Sequence, residues 1–198
     1  MIDARKYSFS FTTASLMING MVVLAESLRN NSNFNYVEIL GNGKSATGKK
    51  YYSELKKRLK NLTASEIDLL IDEDLPTQKQ MCFLAVCKTY GFIKDLTIEV
   101  LRNKFIMFDY EITEGDYISF FRGKLQGHEE LEQLTAQSEI KVKGVIFKIL
   151  EQAGIIDNVK NKMIQPQFLT SNVLEVIYND NPNWLKIFFI SDTDIKRV

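Results

Sequence analysis

Seven basic side chains fall between positions 44 and 60, at Lys44, Lys49, Lys50, Lys56, Lys57, Arg58 and Lys60, against the single acid Glu54. The whole chain carries 25 basic and 25 acidic residues, so this stretch holds a surplus of six positive charges and the remainder an equal negative excess. Ammonium groups need no cofactor to attract anions, and a row of them suits the phosphate backbone of nucleic acid. At about 100° per residue, Lys49, Lys50, Ser53, Lys56, Lys57 and Lys60 share one arc of roughly 120° on a helical wheel, with Tyr52, Leu55, Leu59 and Leu62 opposite. A helix so patterned sets its apolar stripe on a core and turns its lysines outward. Because like charges repel and only Glu54 is at hand to neutralise them, an external anion explains the cluster better than a solvated face.

Other chemistry is poorly provided for. Gly43 to Lys50 comes within one residue of the phosphate-cradling pattern G-x-x-x-x-G-K-[ST], but Lys50 stands where the Mg²⁺-binding hydroxyl is needed. The flanking sequence also lacks the strand and helix alternation that a nucleotide-hydrolysing sheet requires. His128 is the single histidine, beside Glu129 and Glu130 in a loop-like stretch, and reads as a surface residue. Acids gather at positions 66–74 and 109–116, where solvated helix faces and termini account for them. Cys82 and Cys87 lie inside the apolar run 81–87 at a spacing that suits neither a C-x-x-C motif nor a metal site. They read as buried small hydrophobes of a reducing cytosol. No catalytic residue, metal site or cofactor is expected.

Composition is that of an ordinary globular protein, with 45% hydrophobic and 25% charged residues over 198 positions. The apolar stretch at 16–25 is interrupted by Asn19 and Gly20 and is far short of the roughly 20 residues that span a bilayer, so it reads as part of an amphipathic first helix, from about 13 to 29. Ahead of it, residues 7–12 alternate rings and hydroxyls, as an extended arm with inward rings would. The basic helix is expected over about 47–61. A capping box at Thr63 and Glu66 starts the next helix, and Pro76 and Gly91 bracket another at 75–90 that is apolar all round and therefore central. Helices are further expected at 92–108, 113–125, 135–153 and 171–179. In the 135–153 helix, Val142, Val145, Ile146, Ile149, Leu150 and Ala153 form the inner face, with Gln137, Lys141, Lys148 and Gln152 opposite. Residues 155–166 read as a small hairpin resembling the wing of a winged-helix unit, and 184–190 as an apolar tail that packs back.

Several segments taken together resemble the BrxA family of BREX bacteriophage-exclusion systems. They are Tyr7 to Thr13, Arg58 to Thr63, Phe83 to Tyr90, Ile93 to Asp95, Glu99 to Arg102, and Ala153 to Ile156 with Ile164 to Pro166. The resemblance covers nearly the whole chain. It implies an all-α, cytoplasmic multi-helix bundle similar to the antitermination factor NusB, with double-stranded DNA as partner and other BREX proteins as further ones. Division into an N-terminal helical part at 1–110, carrying the basic helix, and a winged-helix-like part at 111–198 is expected. On this reading Lys44, Lys49, Lys50, Lys56, Lys57 and Lys60 meet phosphates, helped by the hydroxyls of Ser45, Thr47 and Ser53, and Lys141, Lys148, Lys160 and Lys162 form a secondary contact. Lysine lacks the bidentate fork that arginine sets on guanine, so weak sequence preference is expected. The alternatives are a structural adaptor within the BREX complex and RNA binding in the manner of NusB. No membrane and no small-molecule substrate is expected as partner.

Overall fold

In a computed structural model that describes residues 6–197, the chain is a bundle of helices without a sheet. A 3₁₀ turn at Ser10–Thr13 precedes α1 (Ile18–Arg29), α2 (Tyr36–Ile39), α3 (Ser45–Leu59), α4 (Ala64–Asp72) and α5 (Leu75–Thr89). Next come α6 (Gly91–Leu96), a π-helical stretch at Thr97–Arg102 and α7 (Asn103–Ile106), which together form one continuous rod. They are followed by α8 (Glu114–Leu125), α9 (Glu129–Glu132), α10 (Ala136–Gln152), α11 (Ser171–Asp180), a 3₁₀ segment at Pro182–Phe188 and α12 (Asp192–Ile195).

Local chemistry sets most of the starts. Thr63 and Thr113 close capping boxes with Glu66 and Asp116, and Thr135, Thr170 and Asp74 each accept a hydrogen bond from a first-turn amide of the helix they precede. Pro76 occupies the first turn of α5, where its missing N–H is harmless. As its composition requires, α5 is central, and every residue from Met81 to Cys87 is buried. Burial pushes both cysteine thiols up, that of Cys82 to about 12. The buried hydrophobic cluster around α5 runs from Tyr7 to Ile195 and draws on residues on both sides of position 110. The apolar tail packs back as expected, burying Leu185, Ile187 and Phe188. None of the described helices is long and apolar enough to cross a membrane.

Several sequence expectations need adjustment. The first helix begins at Ile18, not near residue 13, because the carbonyls of Ala14 and Ser15 accept from the buried Arg58 guanidinium and Met17 takes a left-handed backbone (φ 53°). The arm ahead of it turns in a 3₁₀ coil but keeps its rings inward, with Tyr7 and Phe11 buried. His128 is not a surface residue. Its ring stacks on Tyr7 with centroids 3.7 Å apart, its Nδ1 lies 2.9 Å from Glu130 Oε1, and its side chain is 11% exposed. The hairpin at 155–166 is reduced to single antiparallel bridges, Ile156 to Ile164 and Glu111 to Met163, so a segment from before α8 shares it.

The acidic stretches are solvated only in part, and several of their members are paired. Glu66 is fully buried and accepts from Lys88 at 2.6 Å, while Asp72 takes Arg29 at 2.6 Å and Lys104 bridges Asp109 and Asp116. The near-match to a phosphate loop has a packing origin. A Cβ on Gly48 would lie 2.3 Å from the Tyr36 carbonyl oxygen, so this glycine lets α2 close onto α3, while Gly43 serves the turn between them with a left-handed backbone (φ 80°).

Candidate nucleic-acid interface

Residues 41–44 turn the chain from α2 into α3, which starts two residues earlier than its sequence pattern suggests. Its inner side is fixed by Leu55 and Leu59, both buried, and by Tyr52, whose ring leans on those of Phe34 and Tyr36 at 5.7 and 5.5 Å. With that face anchored, the lysine arc points away from the core. Lys44, Lys49, Lys50, Lys57 and Lys60 are exposed and Lys56 is half-buried, and no carboxylate among the described residues pairs with any of the six. Ser45 and Ser53 are exposed on the same side and Thr47 is half-buried. Lys44, the residue before α3, supplies no side-chain cap to the first amides of the helix.

Two of the lysines are oriented by aromatic rings. Lys56 Nζ sits 5.6 Å from the Tyr52 ring centre, and Lys57 Nζ 4.9 Å from that of Tyr90 while donating to Ser8 Oγ at 3.4 Å and Ser10 Oγ at 3.2 Å. Lys57 is therefore tied to the N-terminal arm, unlike Lys49 and Lys50. A groove of about 590 Å³ runs between Thr13 of that arm and the α3 face at Ala46, Lys49, Lys50, Ser53 and Glu54.

The remaining charges of the segment are turned inward, which the lysine pattern alone does not reveal. Arg58 is wholly buried and donates to Ala14 O and Ser15 O, each at 2.6 Å, and to Glu54 Oε1 at 3.2 Å. Glu54 also accepts from the Tyr90 hydroxyl and from Ser10 Oγ at 3.1 Å. Burial, with the neighbouring Glu54 carboxylate, pushes the Tyr90 phenol up to about 12. The one acid that could have neutralised the lysines is thus consumed by the one arginine of the stretch. A sequence signal existed: Glu54 and Arg58 stand i,i+4 beside Leu55 and Leu59.

The proposed secondary residues lie apart from α3, on α10 and the bridged turn after it. Lys141 and Lys160 are exposed, Lys148 is exposed but paired with Glu151, and Lys162 is half-buried with its ammonium 5.2 Å from the Phe147 ring centre. Gln152 faces inward, its Oε1 accepting from Leu16 N at 2.9 Å.

This helical architecture is shared with a solved structure, an uncharacterized protein from Magnetospirillum magneticum. The match has a TM-score of 0.78 at 16% identity and covers 93% of this chain and 98% of that one. The fold class is thus that of an all-α bundle with a minimal β-bridged turn. The BrxA family model matches residues 5–181, and the chain belongs to that family. Two relatives, each named BREX protein BrxA, come from Bacillus cereus (strain H3081.97) and Escherichia coli O9:H4 (strain HS). They are 28% identical over 130 residues and 22% identical over 131 residues. The matched stretch spans 65% of this chain and 65% of the first relative, and 66% of this chain and 62% of the second.

Proposed function

We propose that this BrxA-family chain is a non-enzymatic, cytoplasmic DNA-binding component of a BREX phage-defence system that grips the duplex backbone through the lysine face of α3. The observation that carries this reading is that, among the described residues, no carboxylate pairs with the six lysines on and beside α3, while Glu54, the one acid of the stretch, is held by Arg58 and Tyr90. An uncompensated row of ammonium groups is destabilised by self-repulsion, and a polyanion relieves it by releasing its condensed counterions. Ser45, Thr47 and Ser53 add hydroxyl donors along the row, and the groove beside Lys49 and Lys50 gives a phosphate strand a place to lie.

The test is a gel shift with duplex DNA, comparing the parent with a variant carrying Lys→Gln at positions 49, 50, 56 and 57. Neutralising about five phosphates gives the parent a log–log salt slope of about −4 to −5. The variant should bind more weakly to every sequence with a slope flatter by roughly one per contact removed. Equal binding by parent and variant would remove α3 as the site. Preference for structured RNA over duplex DNA in competition would replace the ligand, and salt-sensitive capture of another BREX protein that survives nuclease treatment would favour the adaptor reading.

A further inference from the structure

The C-terminal third carries a second surface of a different kind. Segment 163–165 lies between two others, since Ile164 N donates to Tyr110 O at 2.7 Å and Gln165 N to Ile155 O at 2.9 Å, matching the Glu111–Met163 and Ile156–Ile164 bridges. Along the chain the first of these segments precedes α8, and α10 runs directly into the other two, which is the arrangement of a winged-helix unit. The turn between them is held by its own side chains. Asp157 Oδ1 accepts from Met163 N at 2.8 Å, and Asn158 Oδ1 accepts from the amides of Lys160 and Asn161 at 2.9 and 2.8 Å.

Helix α10 buries Val142, Ile146, Phe147, Ile149 and Leu150. Its exposed positions beyond the first residue are Gln137, Ile140, Lys141, Gly144 and Lys148, which recur at i, i+3, i+4, i+7 and i+11 and so form one stripe. The stripe has an amide, a branched apolar side chain that is 72% exposed, two ammonium groups and a glycine, and no carboxylate. Nothing within 4 Å would meet a Cβ on Gly144, so internal packing does not require that glycine. Beside it a groove of about 440 Å³ is lined by Ile140, Gly144, Phe147, Val159 and lysines that include Lys143 and Lys162. Three carboxylates flank this face, and all are engaged: Glu114 with Lys143, Glu151 with Lys148, and Asp157 within the turn.

We propose that α10 reads base edges in the DNA major groove, with Gln137 and Ile140 selecting A·T pairs. This rests on the duplex-DNA reading above. A helix about 10–12 Å across fits a major groove about 12 Å wide, where a glutamine amide can pair bidentately with adenine and an apolar side chain can cover the thymine methyl. Gly144 lets the helix axis approach closely, and Lys141 and Lys160 meet the flanking phosphates. On this view α3 supplies position-independent grip and α10 supplies the sequence preference that an all-lysine face lacks. Thymine carries the methyl that uracil does not, so the same contact favours DNA over RNA.

The experiment selects duplexes from a random-sequence library with three forms of the chain: the parent, Gln137→Ala with Ile140→Ala, and the quadruple α3 lysine variant. The parent should enrich a motif containing A·T pairs, and replacing its thymines by deoxyuridine should weaken binding about tenfold. The α10 variant should bind random duplex like the parent, lose the motif, and be indifferent to deoxyuridine. The lysine variant should weaken on all sequences alike and keep the motif. Duplex binding by the parent without an enriched motif, or a motif that survives the α10 substitutions, overturns this proposal and leaves the α3 grip standing. Failure of the parent to bind any duplex overturns both. Both substituted side chains are exposed, so an unchanged thermal melt verifies folding, and the deoxyuridine comparison needs no variant.

Discussion

Arg58 and Lys57 are adjacent and carry the same charge, yet they face opposite fates, because one helical step of about 100° separates the core side of α3 from its outer side. Arg58 is fully buried against Glu54 and two backbone carbonyls, and Lys57 stays exposed. Replacing Arg58 by Met leaves the Glu54 carboxylate buried with no cation, a loss expected to cost about 3–5 kcal/mol in urea unfolding. Pairing it with Glu54→Gln should recover part of that loss, and a double variant no better than the single would refute the ion-pair account. A second prediction concerns acid. Lys186 and Arg102 donate to Asp192 and hold its carboxyl down to about 2 from an ordinary 3.8. A depressed carboxyl stabilises the fold above its unfolded value and stops doing so as pH falls through its folded one. Thermal melts of the parent and Asp192→Asn should therefore differ at pH 5 and converge between pH 4 and pH 2. A gap that persists at pH 2 would show that the pairing is not the cause.

The two glycines at positions 48 and 144 separate what an element needs for packing from what it leaves open. A Cβ at position 48 meets the Tyr36 carbonyl oxygen at 2.3 Å, whereas one at 144 meets nothing within 4 Å. Gly48→Ala should force α2 off α3 and lower stability by about 1–3 kcal/mol. Gly144→Ala should raise it by up to about 1 kcal/mol, the usual gain from removing glycine inside a helix. Equal effects in denaturant titrations would contradict the contrast. Helix starts were legible wherever a cap and its amide lie within one turn, as at Thr63 and Thr113, because that interaction is local. The start of α1 was not, because it depends on a guanidinium more than forty positions later in the chain.

Across the molecule, the buried cluster joins Tyr7 near one end to Ile195 near the other through α5. Chemical unfolding followed by tryptophan fluorescence and by circular dichroism is accordingly expected to show one coincident transition. Two separated transitions would mean that the parts before and after position 110 are held independently. The sequence by itself determined the all-helical class, the central place of α5, the outward row of lysines and the family, because hydrophobic period, capping residues and charge spacing are properties of neighbouring positions. Only the tertiary structure decided that Tyr90 and Ser10 join Arg58 on Glu54, that His128 stacks on Tyr7, and that Ile140 stays in water. Each of these depends on which distant segment covers a given face. A buried carboxylate completes its hydrogen bonds with donors from across the fold, and an apolar side chain stays exposed when nothing packs above it, so neither outcome is written in local periodicity.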